Sequence, residues 1–413
     1  MIDIAATLLV LTALLAYLNQ RFLRLPMTIG VMAAAMVLSV TLVALDRFGI
    51  ARSLDDRERA FVASIDFSSV LMQGMLSLLL FAGALHVDMA QLRRRRWQVG
   101  LLAFAGTALS TAVVGVMLWA VLPWLGLPLP LLDCLLFGAL ISPTDPIAVI
   151  AMLKSAEAPP DLEVVIAGES LFNDGVGVVI FSLLLEMALQ GAAPTAAETG
   201  RLLLQEAGGG LAFGAVLGLV LVYLLRTIDH YQVEALLTLA AVFGGYTLAS
   251  DLHVSGPLAM VVTGLIVGND GRAQAMSDVT RHHVDLFWEL LDEMLNALLF
   301  VLVGLEVVAI RFPVEGLRAA GVGAVAIAVS LLARWLTVGL PTLALGRRMR
   351  LPRGSAAILT WGGLRGGISI ALALAIPASH HPQTLVALTY CVVAFSVLVQ
   401  GLSFGRLAKR WLA

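Results

Sequence analysis

The chain of 413 residues is 60% hydrophobic and only 13% charged, with a mean hydropathy of +0.94. Such values lie far from those of soluble domains and place the chain in a membrane before any motif is read. The net charge of −2 excludes little. The two cysteines, Cys134 and Cys391, both sit inside apolar runs, so neither a disulfide framework nor a thiolate metal site is indicated.

At about 20 apolar residues per crossing, the sequence predicts an all-α integral membrane protein of thirteen transmembrane helices. They fall near 4–20, 27–46, 67–87, 98–122, 131–153, 163–187, 203–225, 232–250, 254–268, 287–310, 316–340, 354–377 and 384–405. The first has no basic residue ahead of it and no convincing small-residue cleavage pattern, so it reads as a retained helix rather than a signal peptide. No soluble domain is left over. Basic residues alternate between the connections: 17 lie on one side, including Arg93–Arg96 and the carboxyl-terminal Arg406, Lys409 and Arg410, against 7 on the other. By the positive-inside rule the carboxyl terminus is cytoplasmic and the amino terminus outside. The Arg93–Arg96 run then holds topology, with anionic-lipid contact as a secondary role.

Two spans are interrupted. In the fifth, Ser142-Pro143-Thr144-Asp145-Pro146 removes two backbone N–H donors from the helix. In the twelfth, four glycines surround Arg365 in Trp361-Gly362-Gly363-Leu364-Arg365-Gly366-Gly367. Glycine packing against a neighbouring helix is the alternative for that stretch, and the buried arginine argues against it. Broken helices seven crossings apart predict two inverted repeats meeting at the midplane, about 1–190 and 232–410, joined by a linker helix over 203–225.

The sixth span carries two acids within Gly168-Glu169-Ser170-Leu171-Phe172-Asn173-Asp174-Gly175. An acid at the centre of a span costs about 2.5–3.5 kcal/mol on insertion scales, so it faces a partner, a cavity or an ion path. Ser170, Asn173 and Asp174 fall at i, i+3 and i+4, which puts a hydroxyl, an amide and a carboxylate on one face. Proton and cation can compete for the oxygens of Asp174. Glu169 precedes Asp174 by five residues and points about 140° away; it needs a cation, with Arg334 the first choice and Arg365 the second. Asp145 either neutralises helix ends at the break or reaches the ion, and Thr144 offers a hydroxyl or a freed carbonyl.

Thr144-Asp145-Pro146, Glu169-Ser170, Asn173-Asp174 and the glycine stretch around Arg365, backed by Phe287-Trp288-Glu289 and Asn296-Ala297-Leu298-Leu299-Phe300, resemble the monovalent cation:proton antiporters of the sodium/proton exchanger (NhaP-type) family. The likeness covers nearly the whole chain. It implies exchange of Na⁺ or Li⁺ for H⁺ by alternating access, with no cofactor and no nucleic-acid partner, in the inner membrane. It also implies a homodimer formed through the first helices and elements beside the seventh. Asp174, Asp145, Ser170 and Thr144 would hold Na⁺, with Asn173 beside them; because Asn173 is neutral, the resemblance implies electroneutral exchange. Glu169 with Arg334 or Arg365 would be a structural ion pair. The chain departs from the pattern at Phe81-Ala82-Gly83, where many relatives carry an acid.

Rival readings are a K⁺/H⁺ antiporter of the same fold, a cation channel and an intramembrane aspartyl protease. The last is disfavoured, since Asp174 follows Asn173 and Asp145 follows Thr144, unlike the Gly-x-Gly-Asp and Tyr-Asp of those enzymes. Glu289, Asp292 and Glu293 read as a wet helix end, or else as a cation-attracting funnel. The adjacent pairs His282-His283 and His380-His381 lack the i, i+4 spacing of a helical metal site.

Overall fold

The computed structural model describes residues 2–47, 74–190, 196–272, 275–305, 317–349, 351–352 and 354–412. The first part of the third predicted span, the end of the tenth and several of the counted arginines (Arg52, Arg57, Arg59, Arg311, Arg350 and Arg353) lie outside the described residues. Among the described residues every regular element is helical. Seven helices are long and apolar enough to cross a membrane by length and composition, and shorter apolar helices stand beside them.

In chain order the main helices are α1 (Ile2–Leu18), α2 (Met27–Arg47), α3 (Leu76–Leu85), α4 (Thr107–Val121), α5 (Leu131–Ile141), α6 (Ile147–Ser155), α7 (Pro160–Gln190), α8 (Gly209–Leu225), α9 (Tyr231–Asp251), α10 (Gly256–Ile266), α11 (Asp278–Leu305), α12 (Leu317–Arg334), α13 (Ser355–Trp361), α14 (Gly367–Leu374) and α15 (Pro382–Phe395). Several are extended or entered through one wide π-turn, such as Leu101–Gly106 ahead of α4, Trp335–Gly339 after α12 and Ser396–Gly401 after α15.

The helices pack as two groups. One joins α1, α2, α3, α8, α9, α10 and α11; the other joins α4, α5, α7, α12, α14 and α15. Hydrocarbon gives helices no hydrophobic reason to associate, so close backbone approach across small residues has to hold them. That approach is visible where a Cβ on Gly264 of α10 would come within 2.7 Å of the Phe81 carbonyl oxygen of α3, and one on Gly210 would come within 2.6 Å of the Ser255 oxygen. Gly138 of α5 lies just as close to the Thr111 backbone of α4.

The fifth and twelfth predicted spans are each two short helices around a break, α5/α6 over Ser142–Pro146 and α13/α14 over Gly362–Gly366. The breaks cross each other: the Asp145 backbone N–H donates to the Leu364 carbonyl at 2.8 Å. Backbone freed from one helix is thus satisfied by the other, which is how irregular chain survives at membrane depth.

Candidate functional site

Where the two breaks meet, α7 passes alongside and supplies Glu169, Ser170, Asn173 and Asp174. Three of these four are fully committed to protein partners. The Asn173 amide nitrogen donates to Thr144 Oγ1 at 2.9 Å and Glu169 Oε1 at 2.7 Å, while its oxygen accepts the Thr144 N–H at 3.2 Å. Ser170 Oγ donates to the Thr144 carbonyl at 2.6 Å and lies 2.8 Å from Thr144 Oγ1. Ser170 has one proton and spends it on that carbonyl, so Thr144 is the donor between the two hydroxyls.

Glu169 meets Arg334 in a bidentate pair, Nη1 to Oε1 at 2.7 Å and Nη2 to Oε2 at 2.8 Å, and Arg334 Nε also donates to the Leu359 carbonyl at 3.2 Å. Gly363 makes room for this arginine, since a Cβ there would sit 2.6 Å from Nε. Arg365 does not share the pair. Its Nη1 donates to the Ser142 and Pro143 carbonyls at 2.7 and 2.9 Å, and its backbone N–H donates to Ser396 Oγ at 2.8 Å. Pro146 has no N–H to give the Ser142 carbonyl, the Pro143 carbonyl lies within the break, and an arginine cation from the other break serves both. Arg365 is therefore a staple between the breaks, not a partner of Glu169.

Asp174 differs from its neighbours. It is 7% exposed, yet no described residue donates to its carboxylate. It opens instead on a cavity of about 370 Å³, whose wall also includes Thr144 and Asp145. Of the residues expected to hold a cation, Asp174, Asp145 and Thr144 reach this cavity, whereas Ser170 and Asn173 are absent from its lining and knit α7 to the break. The oxygen face expected on α7 is thus split, because the broken fifth span consumes the hydroxyl and the amide.

The cavity runs to the loops at 86–91 and 154–163, where Asp88, Lys154 and Glu163 line it. Asp88 caps the short helix Met89–Arg94, and the Gln91 side chain, with the Gln91 and Ala90 backbone N–H groups, holds its carboxyl below the usual range. From α3 the wall receives Leu79, Leu80 and Gly83. Ala82 is buried and, being alanine, gives no carboxylate. Of the acids early in α11, Asp292 lies on the wall and Glu289 and Glu293 are exposed elsewhere.

One constellation escaped the sequence reading. Asp133, fully buried in the first turn of α5, has His380 Nδ1 at 2.7 Å on one oxygen and His381 Nδ1 at 2.7 Å on the other. His380 Nε2 lies 3.2 Å from the Ala188 carbonyl near the end of α7. The triad ties the starts and ends of three core helices on the face away from the cavity mouth. The signals for it were an acid three residues after Pro130 in an apolar run and the adjacent His380-His381, whose spacing spoke only against a helical metal site.

The family described as sodium/hydrogen exchanger, transmembrane, matches residues 10–410. The chain is 52% identical over 415 residues to the Na⁺/H⁺ antiporter NhaP of Pseudomonas aeruginosa, covering 99% of this chain and 97% of that one. It is 35% identical to the Na⁺/H⁺ antiporter NhaH of Halobacillus dabanensis, over 86% of this chain and 87% of the relative. Its fold is similar to that of the sodium proton antiporter MjNhaP1 from Methanocaldococcus jannaschii, with a TM-score of 0.78 at 21% identity over 100% of this chain and 98% of that one. These likenesses run the length of the chain and take in both broken helices, so the protein belongs to the sodium/hydrogen exchanger family of multi-pass membrane transporters and is not an enzyme.

Proposed function

We propose that the protein exchanges Na⁺, or Li⁺, for H⁺ across the inner membrane, one for one, by alternating access, with cation and proton competing for Asp174. The observation that carries this reading is the carboxylate of Asp174, enclosed by protein, without a donor among the described residues, and open to a cavity. A hard cation needs the ionised oxygens and a proton removes them, so one site serves both ions in turn. Asp145 and Thr144 complete the oxygen set at the cavity. If the loaded and protonated forms cross between inward- and outward-open states and the empty charged form does not, exchange follows.

Thirteen spans in two inverted repeats accompany this reading. Its support is that the breaks of the fifth and twelfth spans cross, and that the π-turns of the fourth and eleventh, also seven spans apart, pack together. The amino terminus would lie outside and the carboxyl terminus in the cytoplasm. A homodimer fits the exposed apolar residues of α1 and α8, among them Leu9, Val10, Leu14, Val216, Leu219 and Tyr223.

Proteoliposomes holding a pH-gradient dye test the site. Asp174→Asn keeps the shape and removes the titrating group, so the variant should purify as the wild type does and show no Na⁺-, Li⁺- or K⁺-driven proton flux. Normal flux in that variant would move the exchange site elsewhere, and a wild type driven by K⁺ in preference to Na⁺ would make this a K⁺/H⁺ antiporter.

A further inference from the structure

The three carboxylates of the early α11 cluster separate in the structure, and only Asp292 faces inward. Asp292, Asn296 and Leu299 fall at i, i+4 and i+7 on α11 and form one stripe along the cavity wall. One turn earlier the helix is anchored: Trp288 is fully buried, packs against Phe81 of α3 at 4.6 Å between ring centroids, and donates from Nε1 to Thr238 Oγ1 at 3.1 Å. The stripe is therefore held on a rigid support. Asn296 turns its amide nitrogen back onto the Asp292 carbonyl at 2.9 Å, and Asp292 makes no ion pair among the described residues.

Asp292 belongs to the helix group of α2, α3 and α9, while Asp145 and Asp174 belong to the other group, so the cavity has a carboxylate on each of its two walls. A cation entering past Asp88 and Glu163 must shed water before it reaches Asp174. Beside Asp292 this wall offers the neutral side chain of Asn296 and the apolar Leu79, Leu80 and Leu299, and none of these carries a charge to offset a lost water. A path works when binding along it is favourable enough to enter and divided enough to leave.

We propose that Asp292 is the first carboxylate beyond the cavity mouth to engage the cation, a way-station on the opposite wall that passes it to Asp145 and Asp174. It sets the concentration at which the transporter loads and takes no part in exchange itself. This rests on the reading of Asp174 as the exchange site.

The test is the Na⁺ dependence of proton flux in proteoliposomes at fixed pH, for wild type, Asp292→Asn and Asp292→Glu. Asp292→Asn should raise half-saturating Na⁺ about tenfold with the maximal rate within about twofold, the pattern of a lost local concentrating charge. Asp292→Glu should return the half-saturation to that of the wild type, which a packing defect would not do. An unchanged half-saturation in Asp292→Asn, a fall in maximal rate alone, or a glutamate variant that behaves as the asparagine one does would overturn the proposal. Should Asp292→Asn fail to elute as a folded protein in size exclusion, Asp292→Ser gives the same reading. A wild type with no cation-driven flux would instead defeat the underlying site assignment.

Discussion

Glu169 and Asp174 sit on one helix and have opposite surroundings. The bidentate contact with Arg334 and the amide of Asn173 saturate Glu169, whereas Asp174 is left to the cavity. Neither member of the Glu169–Arg334 pair is more than 8% exposed at its side chain, so removing one leaves the other charged and stranded in a low-dielectric interior. Glu169→Ala should therefore destabilise the protein by about 3–5 kcal/mol, read as a lowered melting temperature in detergent and a lower yield. A melting temperature equal to that of the wild type would show that water or another acid can neutralise Arg334. That Glu169 needs a cation was legible in the sequence, because helical spacing turned it away from Asp174 and a cation fixed in a span must find an acid; the choice of Arg334 over Arg365 was an ordering that only the structure decides. The engagement of Asn173 and Ser170 was not. Spacing along α7 showed which face they share, but only the chain crossing from residue 144 determines that this face is consumed before an ion arrives.

Helix boundaries and breaks were readable at the scale of elements wherever a residue removes a donor or a side chain. Pro143 and Pro146 opened the fifth span, and the glycines around Arg365 opened the twelfth. The π-turns were hidden, since one extra residue in a helical turn leaves hydropathy unchanged. So was the Asp133 triad, whose members are 247 and 248 residues apart in sequence. Helix contacts give a sharper test. At Gly264 an added methyl would press on a backbone oxygen of α3 at 2.7 Å, which cannot rotate away, whereas at Gly244 nothing lies within 4 Å. Gly264→Ala should lower stability by about 1–3 kcal/mol. Gly244→Ala should hold or raise it, because alanine is the better helix former by about 1 kcal/mol. Thermal melts of the two purified variants compare the same chemical change at a packed and an open site; equal melting temperatures would remove the α3–α10 contact as a source of stability.

For the molecule as a whole, what matters is how much charge moves when the cavity changes sides. The carboxylates at the crossing are Glu169, locked by Arg334, and Asp145 and Asp174 on the cavity; Asn173 supplies no charge. With Asp174 alone exchanging, each cycle carries one Na⁺ one way and one H⁺ the other, and the net charge crossing the bilayer is zero. A charge moved fully across would respond by about 2.3 kcal/mol per 100 mV, so a potential gives a large lever on any other stoichiometry. Clamping the potential with K⁺ and valinomycin in proteoliposomes should leave the equilibrium Na⁺ ratio set by the pH difference alone. If two protons moved per Na⁺, an inside-negative potential would shift the ratio in the direction that brings net positive charge inward. A ratio that follows the imposed potential would thus make Asp145 the second proton carrier, since it is the other exchange-side carboxylate on the cavity, and Asp145→Asn should then abolish the dependence on potential.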